Sequence, residues 1–167
     1  MAEYNSTTST GKCIFCEIAK WNIKPMWESI IYEDEKYMAW LSPFPNTLWA
    51  TIVIPKSHFG SDVLEMPDNE LNEFVLISKK ISKILINYFA DVGRVGLAME
   101  WTWIDHAHIK LFPMHGTEHM KRWEWIQYTS KNHEFIEKYE WYFASNDWPK
   151  ADFIELQKLA HKIRKSI

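Results

Sequence analysis

The segment DHAHIKLFPMH, residues 105–115, constrains the fold more strongly than any other part of the chain. Polar and apolar residues alternate along it, and in a β-strand every second side chain points to the same side of the sheet. A strand here would place the imidazoles of His106 and His108 and the ammonium of Lys110 on one face. The residues that alternate with them would face a core: Ala107, Ile109 and Leu111. The pattern therefore predicts a β-strand that presents three nitrogen-bearing groups in a row.

The other predicted elements are one long helix and several short segments. The helix is predicted from about Asp68 to Phe89, because apolar residues recur there at helical spacing and Pro67 suits the first helical position. The shorter elements are a helix at CIFCEIAK (13–20), strands at ESIIYED (28–34), KYMAWLS (36–42), ATIVIP (50–55) and RVGLAME (94–100), and a C-terminal helix near 151–165. This order predicts one α+β domain with a mainly antiparallel sheet.

Charge and hydropathy argue against two classes of protein. The chain has 167 residues and a formal net charge of −3, whereas a general nucleic-acid binder is usually basic. No apolar run reaches the roughly 18 residues that a membrane span needs. The start of the chain, MAEYNSTTSTGK, lacks the apolar core of a secretory signal. We therefore expect a cytoplasmic protein with a disordered lead-in over residues 1–11.

The chain has two cysteines, Cys13 and Cys16, in a C-x-x-C pair. Such a pair is typical of half a metal site or of a redox pair, and two partly buried free thiols are a further alternative. The redox reading calls for a strand before the motif, which the polar lead-in does not supply. A zinc site needs four ligands, so histidines elsewhere in the chain would have to complete it. The spacing alone leaves these alternatives open.

Four motifs together resemble a known family. They are CIFCEIAK, a predicted β-hairpin, TIVIPKSHF and, after the long helix, DHAHIKLFPMH. In this order and spacing they are similar to the histidine triad (HIT) superfamily, over residues 12–115. The resemblance implies an α+β fold with a five-stranded antiparallel sheet, one long helix and a C-terminal helix. Residues 116–167 are similar to the C-terminal extension of longer bacterial members, packed on the same domain.

The resemblance also implies an activity. Family members hydrolyse or transfer nucleoside monophosphates from phosphoramidates, dinucleoside polyphosphates or related substrates. Their pattern is His-x-His-x-His, and the middle histidine is the nucleophile, which corresponds to His108. The implied catalytic residues are thus His106, His108 and Lys110. The implied partners are a nucleotide substrate, foremost a purine nucleoside phosphate, and a second copy of the chain in a homodimer.

Lys110 departs from the family pattern, where the third residue is histidine. An ammonium can pair with phosphate as a point charge, but it cannot act as a neutral acceptor near pH 7. Either Lys110 holds the phosphate and a modified activity remains, or the domain is a catalytically weak nucleotide-binding or scaffold member. A small zinc-binding interaction module is a third possibility, which makes less use of the histidines.

Further site residues follow from the resemblance. Some bacterial members hold a structural zinc on residues that correspond to Cys13, Cys16, His58 and His106. A Cys₂His₂ set is chemically closed, so this zinc would be structural. The implied nucleotide-binding residues are Ser42, Asn46 and Thr102. Ser42 and Asn46 occupy the strand end and turn that contact ribose in the family, although turn formation explains their residue types equally well.

Tryptophan is abundant and glycine is scarce in this chain. It has 10 tryptophans and 5 glycines, whereas average usage would give about a dozen glycines. Several tryptophans fall in predicted loops where glycine would allow positive φ. The best candidates for glycine misread as tryptophan are Trp49, Trp101, Trp103, Trp141 and Trp148, and Trp21 is a weaker one. A source organism that reads the codon UGA as glycine would produce this pattern when its gene is translated by a table in which UGA means tryptophan. Otherwise these tryptophans are native, and their indoles form walls of the phosphate pocket.

Overall fold

One antiparallel sheet of five strands forms the centre of the protein. The structure is a computed structural model, and it describes residues 6–23, 29–99, 103–125 and 152–166. The strands are β1 (Ile30–Glu33), β2 (Tyr37–Leu41), β3 (Thr51–Pro55), β4 (Val92–Met99) and β5 (Ile109–His115). They are hydrogen-bonded in the order β1-β2-β3-β5-β4, and each neighbouring pair is antiparallel. The predicted mainly antiparallel sheet is thus confirmed.

Three α-helices accompany this sheet in the described residues. They are α1 (Ile14–Ala19), α2 (Asp68–Tyr88) and α3 (Phe153–Lys165), close to the bounds that the sequence predicts. The Asp152 side chain caps α3 by accepting the backbone N–H groups of Ile154 and Glu155, as an aspartate at this position is expected to do. Two single-turn 3₁₀ helices, at 63–65 and 118–122, were not predicted, because such short turns lack a periodic signal. The α+β class is confirmed.

The two faces of the sheet pack into separate apolar clusters. The residues of the first cluster lie between the sheet and the helices α2 and α3, and they include Phe74, Ile81, Leu85, Leu156, Ala160 and Ile163. The second cluster joins Phe15 and Ile18 of α1 to Met38 and Trp40 of β2. Each fully buried aliphatic or aromatic side chain contributes roughly 1.5–3 kcal/mol relative to an exposed one. Burial of both faces therefore holds the sheet rigid at its centre.

The C-terminal helix α3 packs against the sheet and against α2. Its residues Leu156, Ala160 and Ile163 are buried in the first cluster. The guanidinium of Arg164 donates a hydrogen bond to the carbonyl of Ile30 in β1. None of the helices in the described ranges combines the length and apolar character required to cross a membrane.

One sequence-based expectation needs correction. The strand β5 begins at Ile109, so His106 and His108 precede it instead of lying within it. Residues 6–11 contain a turn in which Thr8 N–H donates to the carbonyl of Lys12 and Ile14 N–H donates to the carbonyl of Ser6. Thr7 also forms an isolated bridge with Cys13. These backbone contacts connect residues 6–8 to the residues at the start of α1.

Candidate active site and metal centre

Two cysteines and two histidines converge beside the first turn of α1. Cys13 immediately precedes this helix and Cys16 lies within it, while His58 follows β3 and His106 precedes β5. One potential ligand atom from each of the four residues lies within 4.8 Å of all the others. The fold thus brings together all four residues that the resemblance implies as metal ligands.

The spacing of these atoms fits a tetrahedral metal site. The Nδ1 atom of His106 lies 3.5 Å from the Sγ atoms of both Cys13 and Cys16, and Nδ1 of His58 lies 3.3 Å from Sγ of Cys16. Zinc bonds of about 2.3 Å to sulfur and about 2.0–2.1 Å to nitrogen would place these atoms about 3.6 Å apart. These three distances match a zinc site, and all four ligand atoms lie within 4.8 Å of one another, so the residue types and their placement fit a tetrahedral zinc ion.

The second nitrogen of His106 supports this assignment. Its Nε2 lies 2.9 Å from the carbonyl of Pro55 and donates a hydrogen bond to it. This leaves Nδ1 unprotonated on the side of the two sulfur atoms, and metal-binding histidines usually have such an outer partner. Burial lowers the pKa of His106 to about 4, which also favours the neutral ring. Burial raises the pKa of the Cys16 thiol to about 11, so a metal would have to displace its proton.

His108 is held in one tautomer by the backbone next to it. Its Nδ1 lies 2.7 Å from the carbonyl of His106, and because a carbonyl only accepts, Nδ1 is the donor. The lone pair of the neutral ring is therefore on Nε2. His108 is only 4% exposed, and this burial lowers its pKa to about 4, with a smaller contribution from the charge of Lys110. The ring is neutral near pH 7, as a nitrogen nucleophile must be.

The side chain of Phe15 contacts both imidazoles. Its ring centroid lies 5.8 Å from that of His106 and 5.5 Å from that of His108, in edge-to-face geometry with each. It also packs edge-to-face on Trp40. Phe15 stands between the two cysteines in the sequence, so α1 and the residue before it carry two of the four candidate metal ligands and the packing partner of His108.

The predicted division of the 105–115 segment between two faces is correct, although the strand starts late. The apolar residues lie in the cluster below α2 and α3: Ala107, Ile109 and Leu111. The imidazoles of His106 and His108 contact Phe15 on the opposite face. The alternation thus holds in the extended residues that lead into β5.

Lys110 lies at a small cavity with two of the predicted nucleotide-binding residues. The cavity is lined by Ser42, Phe44, Asn46, Ala50, Thr51, Ile52, Lys110 and Phe112. Lys110 is opposite Ile52 of β3 and Ala98 of β4 in the sheet. The hydroxyl of Ser42 accepts the backbone N–H of Phe44 at 3.2 Å, so it does serve the turn. Thr102, the third predicted residue, lies outside the described residues.

His106 has no ring nitrogen left for a substrate, because one nitrogen is bonded to Pro55 and the other faces the cysteines. Its backbone carbonyl accepts a hydrogen bond from Nδ1 of His108 and so orients that ring. Its expected catalytic role is therefore that of a positioning residue. The sequence does not indicate this role, because every residue has a backbone carbonyl and the residue type does not show which one accepts the hydrogen bond.

Two further residues of the site were not singled out from the sequence. The carbonyl of Pro55 fixes His106, as described above. The carboxylate of Asp105 accepts the backbone N–H of Ser61 at 2.9 Å, and this bond holds the pKa of the carboxyl below its usual value. It joins the loop after His58 to the segment before His106. Neither contact follows from spacing, because each joins residues from distant parts of the chain.

Comparison with known proteins identifies the family. No protein-family model matches the chain. An uncharacterized HIT-like protein of Methanocaldococcus jannaschii is 33% identical over 108 residues, which cover 60% of this chain and 78% of that protein. An adenosine 5'-monophosphoramidase of Candida albicans is 29% identical over 117 residues, covering 63% of this chain and 72% of that protein.

A solved structure extends the likeness to the whole fold. The crystal structure of a zinc-bound histidine triad family protein from Mycobacterium smegmatis superposes with a TM-score of 0.58. The alignment covers 92% of this chain and 94% of that one, at 20% sequence identity. The fold, the histidine segment before β5 and the 33% identity to the Methanocaldococcus jannaschii protein all agree. The chain belongs to the histidine triad (HIT) family.

Proposed function

We propose that this protein is a nucleotide hydrolase or transferase that acts on the α-phosphate of nucleoside phosphoramidates or dinucleoside polyphosphates. The observation that carries the proposal is the hydrogen bond from His108 Nδ1 to the carbonyl of His106, which leaves Nε2 with a free lone pair. The 5'-monophosphoramidase activity in the name of the Candida albicans relative supports the same class of reaction.

The proposed reaction has two steps. Nε2 of His108 attacks the α-phosphorus, a P–N bond forms, and the bond to the leaving group breaks with its electron pair on the leaving group, which takes a proton from water. A second water then attacks the phosphorus, the P–N bond breaks with its electron pair on Nε2, and the nucleoside monophosphate leaves while the proton of the attacking water passes to solvent. Division of one difficult displacement into two easier ones is the advantage of covalent catalysis.

Lys110 supplies positive charge beside the nucleophile in this proposal. It follows His108 by two residues and lines the cavity that Ser42 and Asn46 also line. Phosphoryl transfer depends mainly on positioning and on stabilising the charge of the phosphate oxygens. Ser42 and Asn46 are proposed to contact the ribose, so that the α-phosphate lies between the ribose and His108.

The metal would have a structural role. Cys13, Cys16, His58 and His106 would hold one zinc ion, and with four protein ligands no position remains for a substrate or water. When bound, zinc would join α1 to the segments before β5 and after β3. The zinc named in the Mycobacterium smegmatis structure supports this choice of metal.

Incubation with adenosine phosphoramidate and, separately, with diadenosine polyphosphates tests the proposal. We expect AMP as a product of at least one of them, because both substrates offer an α-phosphorus to His108. Release of products is measured by chromatography. Binding of AMP without turnover of either substrate would favour the alternative, a catalytically weak nucleotide-binding or scaffold member. Absence of binding and turnover would favour a zinc-binding interaction module.

Substitution of Lys110 by alanine is expected to lower kcat/KM by about 10- to 100-fold. The loss corresponds to one charge-assisted contact to phosphate, worth about 1.5–3 kcal/mol. The measurement is steady-state hydrolysis of the best substrate, and Lys110→His tests whether a more typical substrate range returns. Lys158→Ala, on the exposed surface of α3, is the matched control and should not change kcat/KM. Unchanged kinetics in Lys110→Ala would exclude a role for this ammonium.

The homodimer that the resemblance implies and the expected cytoplasmic location remain predictions. Specificity for a purine base also remains a prediction.

A further inference from the structure

Three tryptophans have a backbone conformation that tryptophan rarely adopts. Trp21, Trp49 and Trp123 have φ values of 62°, 65° and 62°. In the part of the chain that the structure describes, these are the non-glycine residues with positive φ, and they join Gly11 and Gly116. Left-handed φ brings the Cβ atom close to the backbone, which makes a bulky residue an outlier there. Glycine has no Cβ atom and takes this conformation without strain.

Trp21 occupies the position after a helix that most often belongs to glycine. Beyond Ala19, the last residue of α1, Trp21 N–H donates to Ile18 at 2.9 Å and Asn22 N–H donates to Glu17 at 2.9 Å. These two bonds form a Schellman motif, which requires a left-handed residue at the position of Trp21. The indole is 46% exposed, so its burial offers little compensation for the strain.

Trp123 repeats this arrangement at a second helix end. After the 3₁₀ helix at 118–122, Trp123 N–H donates to Met120 and Glu124 N–H donates to His119, both at 3.3 Å. The spacing of donors and acceptors is the same as at Trp21, and the left-handed residue again has an indole. This side chain is 76% exposed. Two separate helix ends thus place tryptophan where the local hydrogen bonds call for glycine.

Trp49 lies in a tight turn, which is a different motif from a helix end but also favours glycine. Ala50 N–H donates to the carbonyl of Thr47 at 3.1 Å, which makes Trp49 the third residue of a four-residue turn. A positive φ at the third position is characteristic of a type II turn, where glycine is strongly preferred. Three positions in two kinds of motif therefore share the same unusual residue.

We propose that residues 21, 49 and 123 are glycine in the protein that its source organism makes. Their codons would be UGA, read as glycine in that organism and rendered as tryptophan by a table in which UGA means tryptophan. The excess of tryptophan over glycine in the whole chain is what such a replacement produces. Trp40 provides the contrast, because it is 1% exposed within β2 and packs on Phe15 as a genuine core tryptophan.

Two of these three tryptophans were already candidates for misread glycine in the sequence. Trp49 and Trp21 have the glycine-like backbone that was expected of them, and Trp123 was not among the candidates. For Trp103, which is 52% exposed, the expectation remains a prediction. The other candidates, Trp101, Trp141 and Trp148, lie outside the described residues.

Glycine at position 49 would also matter for the cavity beside Lys110. The turn from Thr47 to Ala50 is tied to β5 by the Thr47 hydroxyl, which donates to the carbonyl of Pro113 at 3.0 Å. Asn46, directly before this turn, and Ala50, its last residue, both line the cavity. An unstrained turn would hold Asn46 in place beside Lys110. This consequence rests on the proposed function, whereas the assignment of glycine does not.

The coding sequence and the native protein test the proposal directly. We expect UGA codons at 21, 49 and 123, and glycine in the corresponding peptides when protein purified from the source organism is analysed by mass spectrometry. Trp40 should be encoded by UGG and found as tryptophan. A UGG codon, or a tryptophan-containing peptide from the source, at any of the three positions would overturn the proposal.

Thermal unfolding provides a test that does not depend on codons. In the full chain, the triple variant with glycine at positions 21, 49 and 123 should unfold at a higher temperature than the triple alanine variant, by about 2–4 °C per position. The triple alanine variant is the matched control, since it removes the same indoles but keeps a Cβ atom at each position. Trp40→Gly should lower Tm, because it empties a filled core position. A triple glycine variant that is no more stable than the alanine variant would contradict the proposal.

Discussion

Replacement of His108 by asparagine is expected to reduce turnover by about 10³-fold or more, as is typical when a covalent nucleophile is removed. The asparagine amide can still donate to the carbonyl of His106, so the local backbone should keep its structure. Turnover of the best phosphoramidate or dinucleoside polyphosphate is the measurement, and far-ultraviolet circular dichroism checks that the fold is intact. His161→Asn, on the exposed surface of α3, is the control and should retain full activity.

The same experiment can detect the intermediate. In the unaltered protein, rapid quenching with a slowly cleaved substrate should trap a nucleotidyl group on the peptide that contains His108. The adduct should be absent from the asparagine variant. Normal turnover in His108→Asn, or an adduct on a different residue, would show that the nucleophile has been assigned incorrectly.

Removal of the metal is expected to have the second large effect. Protein purified without added metal should contain one zinc per chain, held by Cys13, Cys16, His58 and His106. Structural zinc sites contribute up to about 10–16 kcal/mol in small zinc-dependent domains, and this chain has an additional core, so we expect a smaller loss. A strong chelator should lower Tm by about 10 °C or more, since each kcal/mol changes Tm by about 2–4 °C in a chain of this size.

Metal removal should also affect His108, although the metal does not contact the substrate. Phe15 packs against the rings of His106 and His108. A metal bound to Cys13 and Cys16 would hold α1 in place beside these rings. Loosening of α1 therefore removes the packing partner that keeps His108 oriented. Cys13→Ser should reproduce the loss of zinc and of stability. The control substitution Ser82→Ala, at a partly exposed position of α2, should leave the zinc content unchanged and have little effect on stability. Only trace zinc in the purified protein would contradict the site.

The fold was largely predictable because its elements have strong local signals. The stripe of apolar residues in α2 and the alternation around His108 each identified an element and the face that it buries. The starting point of β5 was not predictable, because the residues before it are extended but bonded to other partners, such as the N–H of Ala107 to Phe59. Pattern alone cannot distinguish an extended loop from a strand.

The site was only partly predictable, for a different physical reason. The cysteine spacing left several alternatives open, and the resemblance was needed to join Cys13 and Cys16 to His58 and His106. Contacts that use backbone atoms, such as Pro55 with His106, were invisible in the sequence. Trp123 was missed because its left-handed geometry depends on the short 3₁₀ helix before it, which has no sequence signature of its own.

The strand order has a consequence for how the protein folds. Strands β1, β2 and β3 form one local meander, and β4 and β5 form a second unit, while α2 lies between them in the chain. The pairing of β3 with β5 is the long-range step, and such steps are slow because the intervening chain must first be ordered. Cys13 and Cys16 come shortly before the first unit in the chain and His58 comes shortly after it, whereas His106 comes from the segment that leads into β5. A metal held by all four residues would therefore join the two units after each has formed. The cavity at Lys110 is lined by residues of both units, so it exists only after β3 and β5 have paired.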